Sequence, residues 1–87
     1  MKKILEVENA QLGKIAPLVD LGKAVRIRRR ASQLKQNELA GLAGVGLRFI
    51  SDLENGKPGL EIGRVVRVLT ALGLELLVAP RRWWIPR

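Results

Sequence analysis

The stretch from Gln36 to Lys57 restricts the possible folds more than any other part of the chain. It runs Gln36-Asn37-Glu38-Leu39-Ala40-Gly41-Leu42-Ala43-Gly44-Val45 and, after Gly46, Leu47, Arg48 and Phe49, continues Ile50-Ser51-Asp52-Leu53-Glu54-Asn55-Gly56-Lys57. Leu39, Ala40 and Ala43 form one apolar stripe on a short helix, and Gly44 stands where a left-handed residue would end it. Leu47 to Asn55 gives a second short helix with Ile50 and Leu53 three apart as its inward pair, stopped by Gly56 and Pro58. Helices joined by so short a turn must cross at a wide angle. Gly44 permits the turn, Val45 plugs it, and Ala40 is small enough for close approach. The second helix then turns a face outward that carries Leu47, Arg48, Ser51 and Asp52.

The flanks supply two further helices. Asp20 is placed to cap the first, whose apolar positions Leu21, Ala24 and Val25 sit at i, i+3 and i+4 and which should end near Ser32 and Gln33. Glu61 to Leu72 spaces Ile62, Val65, Val66, Leu69 and Leu72 at helical intervals, with Gly73 as its break. The run from Leu74 to Ala79 is short and apolar, holds Glu75 as its one charge, and is closed by Pro80, which reads as a strand. A lone strand needs a partner, and the cheapest one is its copy in a second chain. Leu74, Leu76 and Val78 are therefore the expected dimerisation residues. Residues 1–17 read as an N-terminal arm whose path stays open: along a bound partner, beside the strand, or without fixed structure. Residues 18–73 form the helical domain, residues 74–80 the dimerisation strand, and residues 81–87 a basic tail. The fold class is mainly α, with four to five short helices and one short C-terminal strand pairing across a homodimer.

At 87 residues the chain has room for one domain with a modest core. With one Phe, two Trp and no Tyr, Leu, Val, Ile and Ala must fill that core, which favours helices. The net charge of +8 predicts attraction to a polyanion, nucleic acid first. A membrane surface is the poorer fit: the chain has no apolar run of about eighteen residues, and the basic run near Arg28 lacks a bulky apolar face. The opening Met1-Lys2-Lys3 is followed by Glu6, Glu8, Asn9 and Gln11, so it does not read as a secretory signal, and a cytoplasmic location is expected. The chain contains no Cys and no His, so thiolate, imidazole and the usual transition-metal chemistry are missing from its side chains. Glu38, Asp52 and Glu54 fall on different helical faces with no base or nucleophile beside them, so no enzyme, no cofactor and no metal site are expected.

The spacing from Gln36 to Lys57 resembles the lambda-repressor-like helix-turn-helix family, whose pattern is Gln-x-x-Leu-Ala, three residues, Gly-Val, then Ile-Ser and Glu-Asn-Gly-Lys. Residues 21 to 73 follow that pattern without interruption. The resemblance implies that double-stranded DNA is the partner and assigns roles by position. Gln36, Asn55 and Lys57 match phosphate-contacting residues, with Lys35 beside them. Arg29 matches an arginine that pairs with the glutamate equivalent to Glu54, so both are structural. Base contacts fall to Leu47, Arg48, Ser51 and Asp52, where Arg48 suits guanine and Leu47 a thymine methyl. Gly46 and Phe49 depart from the common Ser or Thr at those positions, which weakens the helix cap. Of the basic cluster Arg26, Arg28, Arg29, Arg30 and Lys35, some members should lie near phosphates, since the first helix of this architecture crosses the backbone; others read as a solvated face.

Within that family, residues 60 to 80 and the opening Leu21-Gly22-Lys23-Ala24-Val25-Arg26 look like the HipB-type antitoxins. These dimerise partly through the strand, repress their own operon and bind a HipA-type serine/threonine kinase toxin. In Arg81-Arg82-Trp83-Trp84-Ile85-Pro86-Arg87, Trp83 and Trp84 are the expected docking residues for that partner, with packing in the dimer as the competing role. Two alternatives stand beside the antitoxin. One is a stand-alone phage-type or metabolic repressor, and the other a small basic RNA-binding protein, for which the chain lacks stacking aromatics on a sheet or a Gly-rich clamp.

Overall fold

The computed structural model describes the backbone of residues 17–78 and the side chains from Leu18 onward within that span. Residues 1–16 of the predicted arm, the last two residues of the predicted strand and the tail with Trp83 and Trp84 lie outside the described residues, while Pro17, placed at the end of the arm, begins the first helix. Four helices follow in order: α1 (Pro17–Ala31), α2 (Gln36–Ala43), α3 (Leu47–Glu54) and α4 (Ile62–Ala71). α1 packs on α3, while α2 packs on both α3 and α4. Each helix contributes one completely buried side chain to a shared centre: Val25, Leu39, Ile50 and Val68. Ala40, Ala43, Leu53, Val65, Leu69 and Leu72 close around them, with Leu21, Leu34, Val45 and Leu74 packed at the margin. The core is aliphatic, as the composition requires.

All four helices stop by the same device. A residue one or two past the last helical one takes a left-handed conformation, and its N–H and that of the next residue return to carbonyls of the last turn. At α2, Gly44 has φ 71° and its N–H donates to Gly41 O, while the Val45 N–H donates to Ala40 O at 3.0 Å. α3 and α4 end likewise at Gly56 and Gly73, whereas α1 uses Gln33 with φ 60°, a conformation that costs a residue with a Cβ. Some of the carbonyls left over at each helix end are thereby satisfied within the chain.

Close approach of α1 to α3 rests on Gly22. A Cβ at that position would lie 2.5 Å from the Leu53 carbonyl oxygen and 2.6 Å from that of Glu54. Only a hydrogen fits between these backbones.

Two expectations require correction. Asp20 lies inside the first turn of α1 and not at its cap; its charge there faces the positive end of the helix dipole. On α4, Ile62 and Val66 are exposed, at 61% and 42%, and Val68 takes the inward place that the spacing gave to Val66. Two stripes of equal period exist on this helix, and contact with α2 selects the one through Val65, Val68, Leu69 and Leu72. Residues 74–78 form no ladder with any described segment of the same chain, and the pairing expected for the strand is with a second copy. Leu74 packs on the core, while Leu76 and Leu77 are about half exposed and Val78 is 95% exposed.

Candidate nucleic-acid interface

α3 is held by two opposed features. Ile50 and Leu53 are buried on its inner side, and Glu54 at its last turn is buried as well, with its side chain fully enclosed. Its start is the weak point: Gly46 occupies the cap position without a side-chain hydrogen bond. α2 begins more firmly, because the Glu38 carboxylate accepts the Lys35 N–H at 2.7 Å. A lysine offers no acceptor in return, so only half of a capping box forms.

Glu54 is the electrostatic hub of the domain. One carboxylate oxygen accepts Arg29 Nε at 2.6 Å; the other accepts Arg29 Nη2 at 3.1 Å, Gln36 Nε2 at 3.0 Å and Arg26 Nε at 3.3 Å. Arg29 completes its fork through Nη1 to the Leu34 carbonyl at 2.8 Å. This is a bidentate, charge-assisted arrangement, the strong geometry for such a pair. Burial pushes the Glu54 carboxyl up, but the hydrogen bonds from Arg29, Gln36 and Arg26 and the Arg29 charge outweigh it and hold the group below the usual carboxylate range. The hydrogen bond to Glu54 raises Arg29 in turn, against the opposing effect of its burial. The cluster ties α1, the start of α2 and the end of α3 at one point.

The face of α3 away from this hub is open. Leu47 is 52% exposed, and the Arg48 side chain 86%. Ser51 and Asp52 are half-buried. Asp52 stands between two cations, with Oδ1 3.6 Å from Arg48 Nε and Oδ2 3.6 Å from Lys57 Nζ. Asn55 is exposed at the end of α3, followed by the Gly56 turn that leads to Lys57. Lys35 is exposed at the start of α2 and Gln36 is half-buried beside it, one amide N–H committed to Glu54. The structure thus gathers Leu47, Arg48, Ser51 and Asp52 on one surface, and pairs Arg29 with Glu54.

The basic cluster of α1 divides by role. Arg26 reaches Glu54, Arg29 is buried, and Arg28 Nε donates 2.9 Å to the Leu72 carbonyl at the end of α4. Arg30 remains exposed. A second arginine of this kind is Arg67, whose Nη2 donates to the Gly44 carbonyl at 3.2 Å and so fastens α4 to the turn between α2 and α3. Sequence reasoning assigned neither Arg28 nor Arg67 to a carbonyl. Their partners are 44 and 23 residues away, and no local spacing marks them. Among the described residues, no three Asp or Glu side chains gather as a metal site, and no helix is long and apolar enough to cross a membrane.

A family model described as "Helix-turn-helix domain" matches residues 20–84. That span takes in all four helices except the first residues of α1. The chain belongs to the helix-turn-helix domain family. Within it, the chain is 56% identical over 62 residues to an uncharacterised HTH-type transcriptional regulator of Sinorhizobium fredii, y4mF; the match covers 70% of this chain and 82% of that protein. It is 38% identical over 60 residues to a second uncharacterised HTH-type transcriptional regulator of the same organism, y4dL, covering 67% of this chain and 30% of that protein. The helix-turn-helix unit is the pair α2 and α3, and the open side of α3 is the face that carries Leu47 and Arg48.

Proposed function

We propose that the chain is a sequence-specific DNA-binding transcriptional repressor that reads the major groove with α3. The observation that carries this reading is the mounting of α3: Ile50, Leu53 and Glu54 are locked inside, while Leu47 and Arg48 project from the opposite side of the same eight-residue helix. An α-helix fits a major groove, Arg48 supplies donors for guanine O6 and N7, and Leu47 supplies an apolar surface for a thymine methyl. Ser51 is placed to add a hydrogen bond to either base of a pair. Lys35, Gln36, Asn55 and Lys57 fix the register on phosphates, Gln36 with the amide N–H that Glu54 leaves over. The net charge of +8 supports the same partner. The names of both relatives as transcriptional regulators add weight. The test is fluorescence anisotropy with duplexes selected by the protein from a randomised pool. Arg48→Ala should reduce discrimination against a substituted guanine by about 1–3 kcal/mol, whereas Lys35→Ala should weaken all duplexes alike. Equal loss on every sequence for both variants would refute base reading by α3.

The finer reading is an antitoxin of the HipB type that represses its own operon as a homodimer and binds a HipA-type kinase. Its support is the apolar segment after Gly73, whose Leu76 and Val78 remain exposed, together with the exposed Ile62 and Val66 on α4. Trp83 and Trp84 are assigned to docking of the kinase. Co-purification with such a kinase encoded beside this gene, lost on removal of residues 81–87 with DNA binding retained, is the expected result. Unchanged kinase affinity would remove the docking role.

A further inference from the structure

Asp52 sits on the outward side of α3, yet its surroundings are not those of a group free to accept from a base. The i, i+4 spacing puts Arg48 on the same strip of helix, and the nearest approach is from Arg48 Nε to Asp52 Oδ1 at 3.6 Å. A guanidinium approached through Nε keeps its two terminal nitrogens for another partner, and these are the donors that a guanine edge takes in parallel. Lys57 arrives from the other side. The turn at Gly56 folds the chain back so that the Lys57 N–H donates to the Asp52 carbonyl at 3.0 Å, and the Lys57 ammonium comes to 3.6 Å from Asp52 Oδ2. The depth order settles the geometry: the Arg48 side chain is 86% exposed, that of Lys57 55%, and that of Asp52 22%. The carboxylate lies beneath two cations, and an approaching duplex meets them first.

We propose that Asp52 is a positioning residue for sequence readout: it orients Arg48 for guanine and restrains Arg48 and Lys57 from binding phosphate indiscriminately, exchanging non-specific affinity for specificity. The proposal rests on DNA reading by α3 and changes the role of one residue within it. On a duplex lacking the matching guanine, both cations must leave the carboxylate to reach phosphate, and an uncompensated negative charge then faces the DNA. On the matching duplex Arg48 keeps Asp52 behind it and bonds the base in front. Direct reading of a cytosine amino group by Asp52 is the competing role, and it predicts a different outcome for the same substitution.

The experiment uses the full chain, wild type and Asp52→Asn, with Asp52→Ser as a second shape. Each protein selects its preferred duplex from a randomised pool, and its affinity for that duplex and for a random duplex is measured across a salt series. Removal of the carboxylate should tighten binding to the random duplex and steepen the salt slope by about 1. It should lower the selected-to-random ratio roughly tenfold, with the guanine preference lost. In an Arg48→Ala background the same substitution should lower that ratio no further. The proposal is overturned if random-duplex binding is unchanged or weaker, or if the guanine preference survives while a cytosine preference disappears, which is the signature of direct reading. If the wild type itself selects no sequence, DNA reading by α3 falls, and this proposal with it.

Discussion

Removing the Glu54 carboxylate should strip Arg29 of its buried counter-charge, and the contacts around the pair set the scale of the loss. Glu54→Ala leaves Arg29, with its side chain 9% exposed, as a buried cation whose remaining partner is the Leu34 carbonyl at 2.8 Å. It also takes the acceptor from the Gln36 amide. Breaking a buried ion pair from one side costs about 3–5 kcal/mol. The contact from Arg26, whose side chain is 45% exposed, adds only about 0–1 kcal/mol to that. A chain of 87 residues has a total stability of about 4–13 kcal/mol, so the variant sits at the edge of folding. The midpoint of thermal unfolding should fall by something on the order of 12–40 °C. Far-UV circular dichroism melts and urea titrations of the wild type, Glu54→Ala and Arg29→Met/Glu54→Leu measure it. The double variant should recover part of the loss, because an apolar pair can replace a buried ionic one at little cost. A loss below about 1 kcal/mol in Glu54→Ala, the range of an exposed pair, would refute the hub. Acid offers a second readout. A carboxyl held below its unfolded pKa contributes stability in full above the unfolded value and loses it as pH falls through the folded one. Wild-type stability should therefore decline on acidification below about pH 5, and Glu54→Gln should flatten that decline.

Other outcomes follow from single contacts. Gly22→Ala should destabilise by about 1–3 kcal/mol in urea titration, because its Cβ would meet the Leu53 and Glu54 carbonyls at 2.5 and 2.6 Å and push α1 off α3. Gln33→Gly should raise stability by about 1 kcal/mol, since it relieves a side chain held at φ 60°; an unchanged melt would show that Gln33 is not strained. Leu76→Lys/Val78→Lys should convert a dimer to a monomer in sedimentation velocity while leaving the helical signal intact, because neither side chain is buried in the chain itself. A wild type that sediments as a monomer would remove the strand-paired homodimer.

The parts of the fold that sequence reasoning reached are those set by neighbours along the chain. Gly44 and Val45 mark the α2–α3 turn because a left-handed residue and its following apolar plug are local requirements, and Ile50 and Leu53 face inward because three residues nearly complete a helical turn. The phase of α4 was not legible in the same way. Ile62-Val65-Val66-Leu69 and Val65-Val68-Leu69-Leu72 share one period, and only packing against α2 chooses between them. The other arginines of α1 resisted for a different reason: Arg26, Arg28 and Arg30 look alike in a sequence, yet their roles depend on Glu54, on the Leu72 carbonyl or on solvent, whereas the family pattern pairs Arg29 with Glu54. Asp52 shows the limit at the site. Helical spacing places it on the reading face, but only the third dimension puts it underneath Arg48 and Lys57.

Whether α3 reads DNA sequence is decided by a hydroxyl-radical footprint of the protein on the DNA upstream of its own gene. Two half-sites one helical turn apart, roughly 34–36 Å, should be protected, and that protection should persist in a large excess of unrelated DNA and disappear with Arg48→Ala. Uniform protection along the fragment, abolished by modest salt and indifferent to Arg48, would contradict sequence reading by α3.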